Sequence, residues 1–264
     1  MNKSKIEWCD HTWNPITGCR HNCSYCYARR MTARFAGDVR LNLMAKKDYS
    51  IEPAADNSDN VFVLEEPMLN ETGNTLVYPF GFEPTYHKYR MDYPEKLKMG
   101  NNIFVGAMAD IFGKWVPDEW IEQVFEACEA APQHRYLFLT KNPKRYVDLY
   151  GNGILRVRDS FWYGSTITGA NEPFFFSRMP DDNPHTFCSI EPIIEPVGTM
   201  QEMPEWVIVG AETGTRKGKV APRKEWIDEI AAECRRHRKP LFMKDSLHDL
   251  MGDDFKQEFP WEVK

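Results

Sequence analysis

The sequence predicts an α/β protein, an incomplete (β/α) barrel of about six or seven parallel strands with a β-hairpin-containing insertion. Three observations carry that expectation. From Asn102 onward, short apolar runs alternate with helix-patterned stretches, as in a parallel sheet whose crossovers are helices. The apolar runs end in polar residues: Asp110, Lys141, Thr166, Glu191, Glu212 and Lys244. In barrels of parallel strands such C-terminal ends share one mouth, where catalytic groups gather. Ahead of them all, Cys19, Cys23 and Cys26 are spaced C-x3-C-x2-C behind Gly18, where the backbone can turn sharply. A chain of 264 residues suits one such domain, spanning 1–264, with the insertion at about 45–98.

Taken in order, a strand is expected at 11–16, leading into the cysteine loop. Residues 27–36 read as a helix, with Tyr27, Met31 and Phe35 at i, i+4, i+8 turned to the core. Residues 45–98 change character. Prolines punctuate them, Asp56–Asn60 is a loop by composition, and strand candidates Val61–Leu64 and Thr75–Tyr78 flank a turn at Asn70–Asn74, which suggests a hairpin. Such an insertion suits either a cover over one mouth of the domain or a surface elaboration.

The remaining strand candidates are Ile103–Met108, Tyr136–Leu139, Phe161–Thr166, Thr186–Ile190, Trp206–Val209 and Leu241–Met243. Pro117-Asp118-Glu119 opens a helix striped by Ile121, Val124, Phe125 and Cys128, and Pro222 precedes one striped by Ile227, Ile230, Ala231 and Cys234. Cys128 and Cys234 are therefore small core residues. Alternation in Phe187–Glu191 puts Ser189 and Glu191 on one face and Cys188 on the other, where it packs.

Composition narrows the classes. The seven cysteines are odd in number and partly clustered, which favours a reduced compartment and metal chemistry over disulfides. No apolar run reaches membrane-spanning length and the N-terminus lacks a signal-peptide core, so a soluble cytoplasmic protein with no membrane partner is expected. The net charge of −6 weighs against coating nucleic acid by bulk charge but leaves local basic patches at 29–34, 216–224 and 235–239. The last reads as a helix end complementing its dipole.

Three thiolates so close in sequence can converge on one soft metal centre at little loop-closure cost. A structural zinc site takes four protein ligands, as does an electron-transfer iron–sulfur cluster. Three cysteines on a [4Fe–4S] cluster leave one iron open to a small molecule. A zinc-binding interaction module with His11, His21 or Cys9 as fourth ligand is the main alternative, and a barrel hydrolase with incidental cysteines a further one.

The motif Cys19, Cys23, Tyr25, Cys26 resembles the signature of the radical S-adenosylmethionine (SAM) enzymes. The similarity extends through Trp13–Cys19, Phe104–Phe112, Leu139–Pro143, Ser189–Pro192 and Val209–Gly214, which in that order resemble a phage-type three-cysteine family. The chain departs from that family's pattern in a tighter first cysteine gap, in Cys9 and in the enlarged 45–98 segment. The resemblance implies a [4Fe–4S] cluster on Cys19, Cys23 and Cys26, SAM bound at its open iron, and reductive cleavage to a 5′-deoxyadenosyl radical. By motif position Tyr25 lies near the adenine, Ser165 and Thr166 meet the ribose or carboxylate, and Met108 ends the stretch where many such enzymes carry Gly-Gly-Glu. With that Glu absent, Glu191 or Glu212 takes its place. Asp110, Lys141, Glu191 and Lys244 are the catalytic candidates. The family resembles enzymes of viral thymidine hypermodification that protect viral DNA from host restriction. That implies isomerisation of a glycine-type adduct, a DNA or nucleotide substrate, host cytoplasm, and a low-potential electron donor of flavodoxin or ferredoxin type. Another nucleoside, a lipid or a peptide is the alternative substrate.

Overall fold

A computed structural model describes residues 2–170, 185–200 and 203–262. The chain divides into two compact units, one of residues 1–5 and 9–156, the other of 6–8 and 157–264. The fold class is α/β on seven parallel strands, as an incomplete (β/α) barrel requires.

In the first unit β1 (Asn2–Lys3) runs antiparallel to β2 (His11–Trp13), which pairs in parallel with β7 (Asn102–Val105), itself parallel to β8 (Arg135–Thr140). A second sheet interrupts this series. It joins β3 (Ile16–Thr17), β6 (Thr85–His87), β5 (Asn60–Leu64) and β4 (Ser50–Pro53) in that spatial order. Four helices complete the unit: α1 (Tyr27–Phe35), α2 (Val39–Met44), α3 (Asp118–Ala130) and α4 (Lys144–Gly151). α3 opens after Pro117 with Asp118 and Glu119 in its first turn, which complements the dipole. It buries Ile121, Val124, Phe125 and Cys128, the expected stripe, together with Trp120 and Ala127.

The second unit lines up β9 (Phe161–Ile167), β10 (Thr186–Ile190), β11 (Trp206–Val209) and β12 (Leu241–Met243), all parallel, with α5 (Lys224–His237) and the short α6 (His248–Met251). β10, β11 and β12 are buried throughout, as strands covered on both faces must be. On one face Cys188, Ile190, Val207 and Val209 pack with Ile227, Ile230, Ala231 and Cys234 of α5. Cys128, Cys188 and Cys234 are thus core residues, and burial pushes the Cys234 thiol up to about 12. On α5 the terminal Arg235, Arg236 and His237 sit at the negative end of the dipole.

Two local expectations need correction. In α1 the large residues face outward: Tyr27, Met31 and Phe35 are 47%, 42% and 54% exposed, while Ala28, Thr32 and Ala36 are buried. The two stripes lie one residue apart, about 100° around the helix, and small side chains let α1 approach Tyr78 and Met108 closely. The hairpin is also differently built. β5 pairs with β4 and β6, whereas Thr75–Tyr78 forms no strand and only an isolated bridge joins Leu69 to Thr75. The turn itself is real: Asn70 Oδ1 accepts from the Thr72 and Asn74 backbone N–H groups at 3.0 and 2.9 Å. That side chain closes the loop without needing flanking strands.

Candidate functional site

The expected 11–16 strand splits after Trp13, and that split positions the cysteine loop. β2 stays with β7, while Ile16 and Thr17 cross to pair with Tyr86 and Thr85 of the insertion. Residues 45–98 therefore brace the segment leading into the thiols. His87 N–H donates to Pro15 O at 2.7 Å, and Cys19 N–H to Phe82 O at 3.1 Å. Arg90 donates from Nη1 to Asn14 O at 3.0 Å and from Nη2 to Val77 O at 3.1 Å. Thr17 Oγ1 and His87 Nε2 share a hydrogen bond of 2.9 Å. Burial, then the nearby Arg90 charge, holds His87 well below its ordinary pKa, so it is a neutral hydrogen-bonding group. Gly18 makes the next turn at φ +86, and a Cβ there would meet Glu83 O at 2.3 Å. Only glycine fits.

On its other side the loop is tied to the end of β7. Met108 N–H donates to Asn14 Oδ1 at 2.8 Å, and Met108 O accepts from Gly18 N–H at 2.9 Å. Below lies Asp110, 5% exposed. Its Oδ1 accepts from Thr140 Oγ1 at 2.7 Å and from Phe112 N–H at 3.1 Å. Its Oδ2 accepts from Lys141 N–H at 2.9 Å and meets His21 Nε2 at 2.7 Å. A carboxylate has about four acceptor positions, and these four donors fill them. Asp110, expected among the catalytic groups, thereby ties His21, midway between Cys19 and Cys23, to the ends of β7 and β8.

The three loop cysteines are free thiols, half-buried. Cys26 caps α1, its Sγ accepting from Arg29 N–H at 3.4 Å. Cys19 is pushed up to about 12 by burial and by Asp110, with further contributions from Cys23 and Cys26. Cys23 and Cys26 thus lie near enough to Cys19 to add to its shift. The donor chemistry fits an iron–sulfur cluster. Among the described residues no group of three His, Cys, Asp or Glu side chains stands ready to hold a single metal ion. Two of the fourth ligands considered for zinc are engaged: His21 with Asp110, and Cys9, buried, with Ser4 Oγ at 3.2 Å. Around the loop, Lys141 Nζ lies 5.3 Å from the Tyr25 ring centre, Tyr27 OH donates to Ala107 O at 2.6 Å, and Arg29 Nη2 to Cys19 O at 3.3 Å.

The remaining expected residues belong to the second unit. Ser165 and Thr166, adjacent on β9, point to opposite faces. Ser165 stands beside Cys188 on the face that packs against α5, its hydroxyl buried without a partner among the described residues. Thr166 stands beside Ser189 on the other face. Lys244 Nζ donates to Glu191 Oε1 at 2.5 Å and lies 3.7 Å from Glu7 Oε2. Burial depresses its pKa, but the Glu191 and Glu7 carboxylates outweigh this and the net shift is upward. Gly210 makes room for the pair, since a Cβ there would lie 2.9 Å from Lys244 Cδ. Glu212 is buried and binds Arg216 through two hydrogen bonds of 2.6 and 2.7 Å. Lys224 pairs with Asp228 and Asp254, so Arg216 and Lys224 of the 216–224 basic patch are both ion-paired.

Sequence reasoning missed His87 and Arg90, and it named His21 only as a candidate zinc ligand and Asn14 only within a motif. Asn14 sits inside the Trp13–Cys19 motif, whose regularity was a signal. Nothing in the sequence pointed from Arg90 to a segment 76 residues earlier.

A thiol loop braced between a parallel strand end and an inserted sheet defines the class: an α/β protein with a candidate soft-metal centre. The family model described as "Protein of unknown function (DUF5131)" matches residues 3–251, and the chain belongs to that family. No curated protein matches. Among solved structures the chain is similar to a spore photoproduct lyase mutant, with 11% identity over 92% of this chain and 79% of that one and a TM-score of 0.46. That likeness is too distant to bear on chemistry. Among the described residues no helix is long and apolar enough to cross a membrane.

Proposed function

We propose that this chain is a radical SAM enzyme in which Cys19, Cys23 and Cys26 hold a [4Fe–4S] cluster and the cluster's open iron binds SAM. The observation that carries the reading is a loop of three free, half-buried cysteines, spaced C-x3-C-x2-C with an aromatic residue before the last, tied through Met108 to the end of the parallel strand β7. Cluster and SAM together supply one-electron carbon–sulfur cleavage and hence hydrogen abstraction. The chain's own residues do the rest. The insertion and Asp110 fix the loop before the centre is loaded, so little ordering remains to oppose binding. Tyr25, with the Lys141 ammonium over its ring, offers a flat, charged surface to an adenine. Met108, buried with Ala28 and Tyr78, excludes water from the start of α1. In the second unit, Thr166 and the Glu191–Lys244 pair are proposed as polar contacts for SAM or a zwitterionic substrate by their strand-end positions, and Ser165 and Glu212 by motif position alone.

For the substrate we favour a glycine-type adduct on thymidine, as DNA or nucleotide, isomerised from nitrogen to carbon linkage during viral DNA hypermodification in the host cytoplasm. Hydrogen abstraction beside an amine suits that rearrangement. A base within a duplex would first have to be extruded.

The test is direct. Cys19→Ala, Cys23→Ala and Cys26→Ala should each abolish reductive formation of 5′-deoxyadenosine while the circular dichroism spectrum stays that of the parent. Parent-rate cleavage by any one of the three would overturn the assignment.

A further inference from the structure

α1 leaves the cysteine loop and shows solvent an apolar stripe of Tyr27, Met31 and Phe35, and α2 adds Leu41, Leu43 and Met44 at 57%, 38% and 77% exposure. Large apolar side chains left exposed on two successive helices are the kind of surface that marks an interaction site. Interleaved with it are Arg29, Arg30, Arg34, Arg40, Lys46 and Lys47, while Asp38 is the lone acid from 27 to 47: six cations to one anion on a chain of net charge −6. Asp38 is itself engaged, capping α2 through Arg40 N–H at 2.9 Å. Among the described residues no ion pair engages Arg30, Arg34, Arg40, Lys46 or Lys47.

We propose that the exposed face of α1 and α2 is the docking surface for an acidic one-electron carrier protein. This rests on the radical SAM reading above. Charge complementarity selects an acidic partner. The mixture of Met31, Leu41, Leu43 and Met44 with Phe35 and arginines has the composition of a protein interface. Position selects the redox role. α1 begins at Cys26 and is 9 residues long, so its exposed face extends about 14 Å from the thiol loop. One electron leaves the carrier's reduced group, which is oxidised by one, and enters the iron–sulfur centre, which is reduced by one. No bond or proton moves in that step.

The test uses the full chain, loaded anaerobically, and a reduced flavodoxin of net negative charge as the probe. The variant combines Arg30→Glu, Met31→Ser and Arg34→Glu, three exposed residues outside the cysteine loop. Dithionite, a small reductant, should reduce parent and variant clusters at equal rates. With flavodoxin, the variant's rate of cluster bleaching should fall at least tenfold. The parent's rate should drop with added salt while the variant's stays flat. The single Arg34→Glu variant should lose at least threefold in the same direction. Equal flavodoxin-driven rates in parent and variant would overturn the proposal. So would a variant that keeps the flavodoxin rate but loses binding of a single-stranded oligonucleotide, which would make the face a nucleic-acid site. A parent without iron would instead defeat the cofactor reading itself, and this proposal with it. A parent reduced by dithionite but never by flavodoxin defeats the docking surface alone.

Discussion

The cysteine loop of the first unit and the strand ends of the second satisfy their polar groups in opposite ways. Around the loop, hydrogen bonds run from distant stretches to the backbone: Arg90 to Asn14 O, Asn14 to Met108 N–H, Asp110 to Lys141 N–H. The side chains with reactive chemistry, the three thiols, take almost no part in holding the structure. In the second unit the reactive groups hold one another, Lys244 with Glu191 and Arg216 with Glu212. A braced backbone with unspent side chains is organised for a ligand. Self-paired charges contribute to the fold first, and give them up to a ligand only at a cost.

Asp110 breaks this contrast most sharply. Asp110→Ala leaves four donors without an acceptor, two of them backbone N–H groups, and should cost about 3–5 kcal/mol in urea unfolding. Asp110→Asn is a finer probe. An amide accepts on one oxygen only, so in either orientation its NH2 faces two donors, and about 2 kcal/mol should be lost. Both variants should retain less iron after anaerobic loading. A variant that unfolds like the parent would show that Asp110 is no anchor.

Lys244→Met tests the other half. It should cost about 2 kcal/mol, because Glu191 then loses its charged partner. The pKa of Lys244 is raised on folding, so its contribution is complete below the unfolded lysine value and is lost as pH rises through the higher folded one. The difference between parent and variant should therefore be constant from about pH 6 to 10 and shrink only above that. A difference that vanished below pH 9 would mean that the pair does not hold in solution.

The legible parts of the chain were those governed by local pattern. The alternation of apolar runs and helices located β7 to β12, and the stripes of α3 and α5 were read residue by residue. The cysteine spacing was equally plain. What escaped depended on long-range pairing. β6 is three residues long and carries His87, yet it matters because it binds β3, and no period of two can show in so short a strand. α1 failed for a different reason. Its small buried residues 28, 32 and 36 run parallel to a bulkier stripe, and a rule that seeks large apolar side chains chooses the wrong face when close packing against Met108 requires small ones. Asp110 was found as a polar strand end, but its four partners were invisible.

The central claim is three sulfur ligands with one iron left open. Anaerobic purification with iron and sulfide analysis, followed by electron paramagnetic resonance of the reduced protein with and without SAM, tests it most directly. The account predicts a brown protein with about four irons and four sulfides per chain and a reduced spectrum that changes when SAM is added. A colourless protein holding zinc, or a cluster whose spectrum ignores SAM, would contradict it.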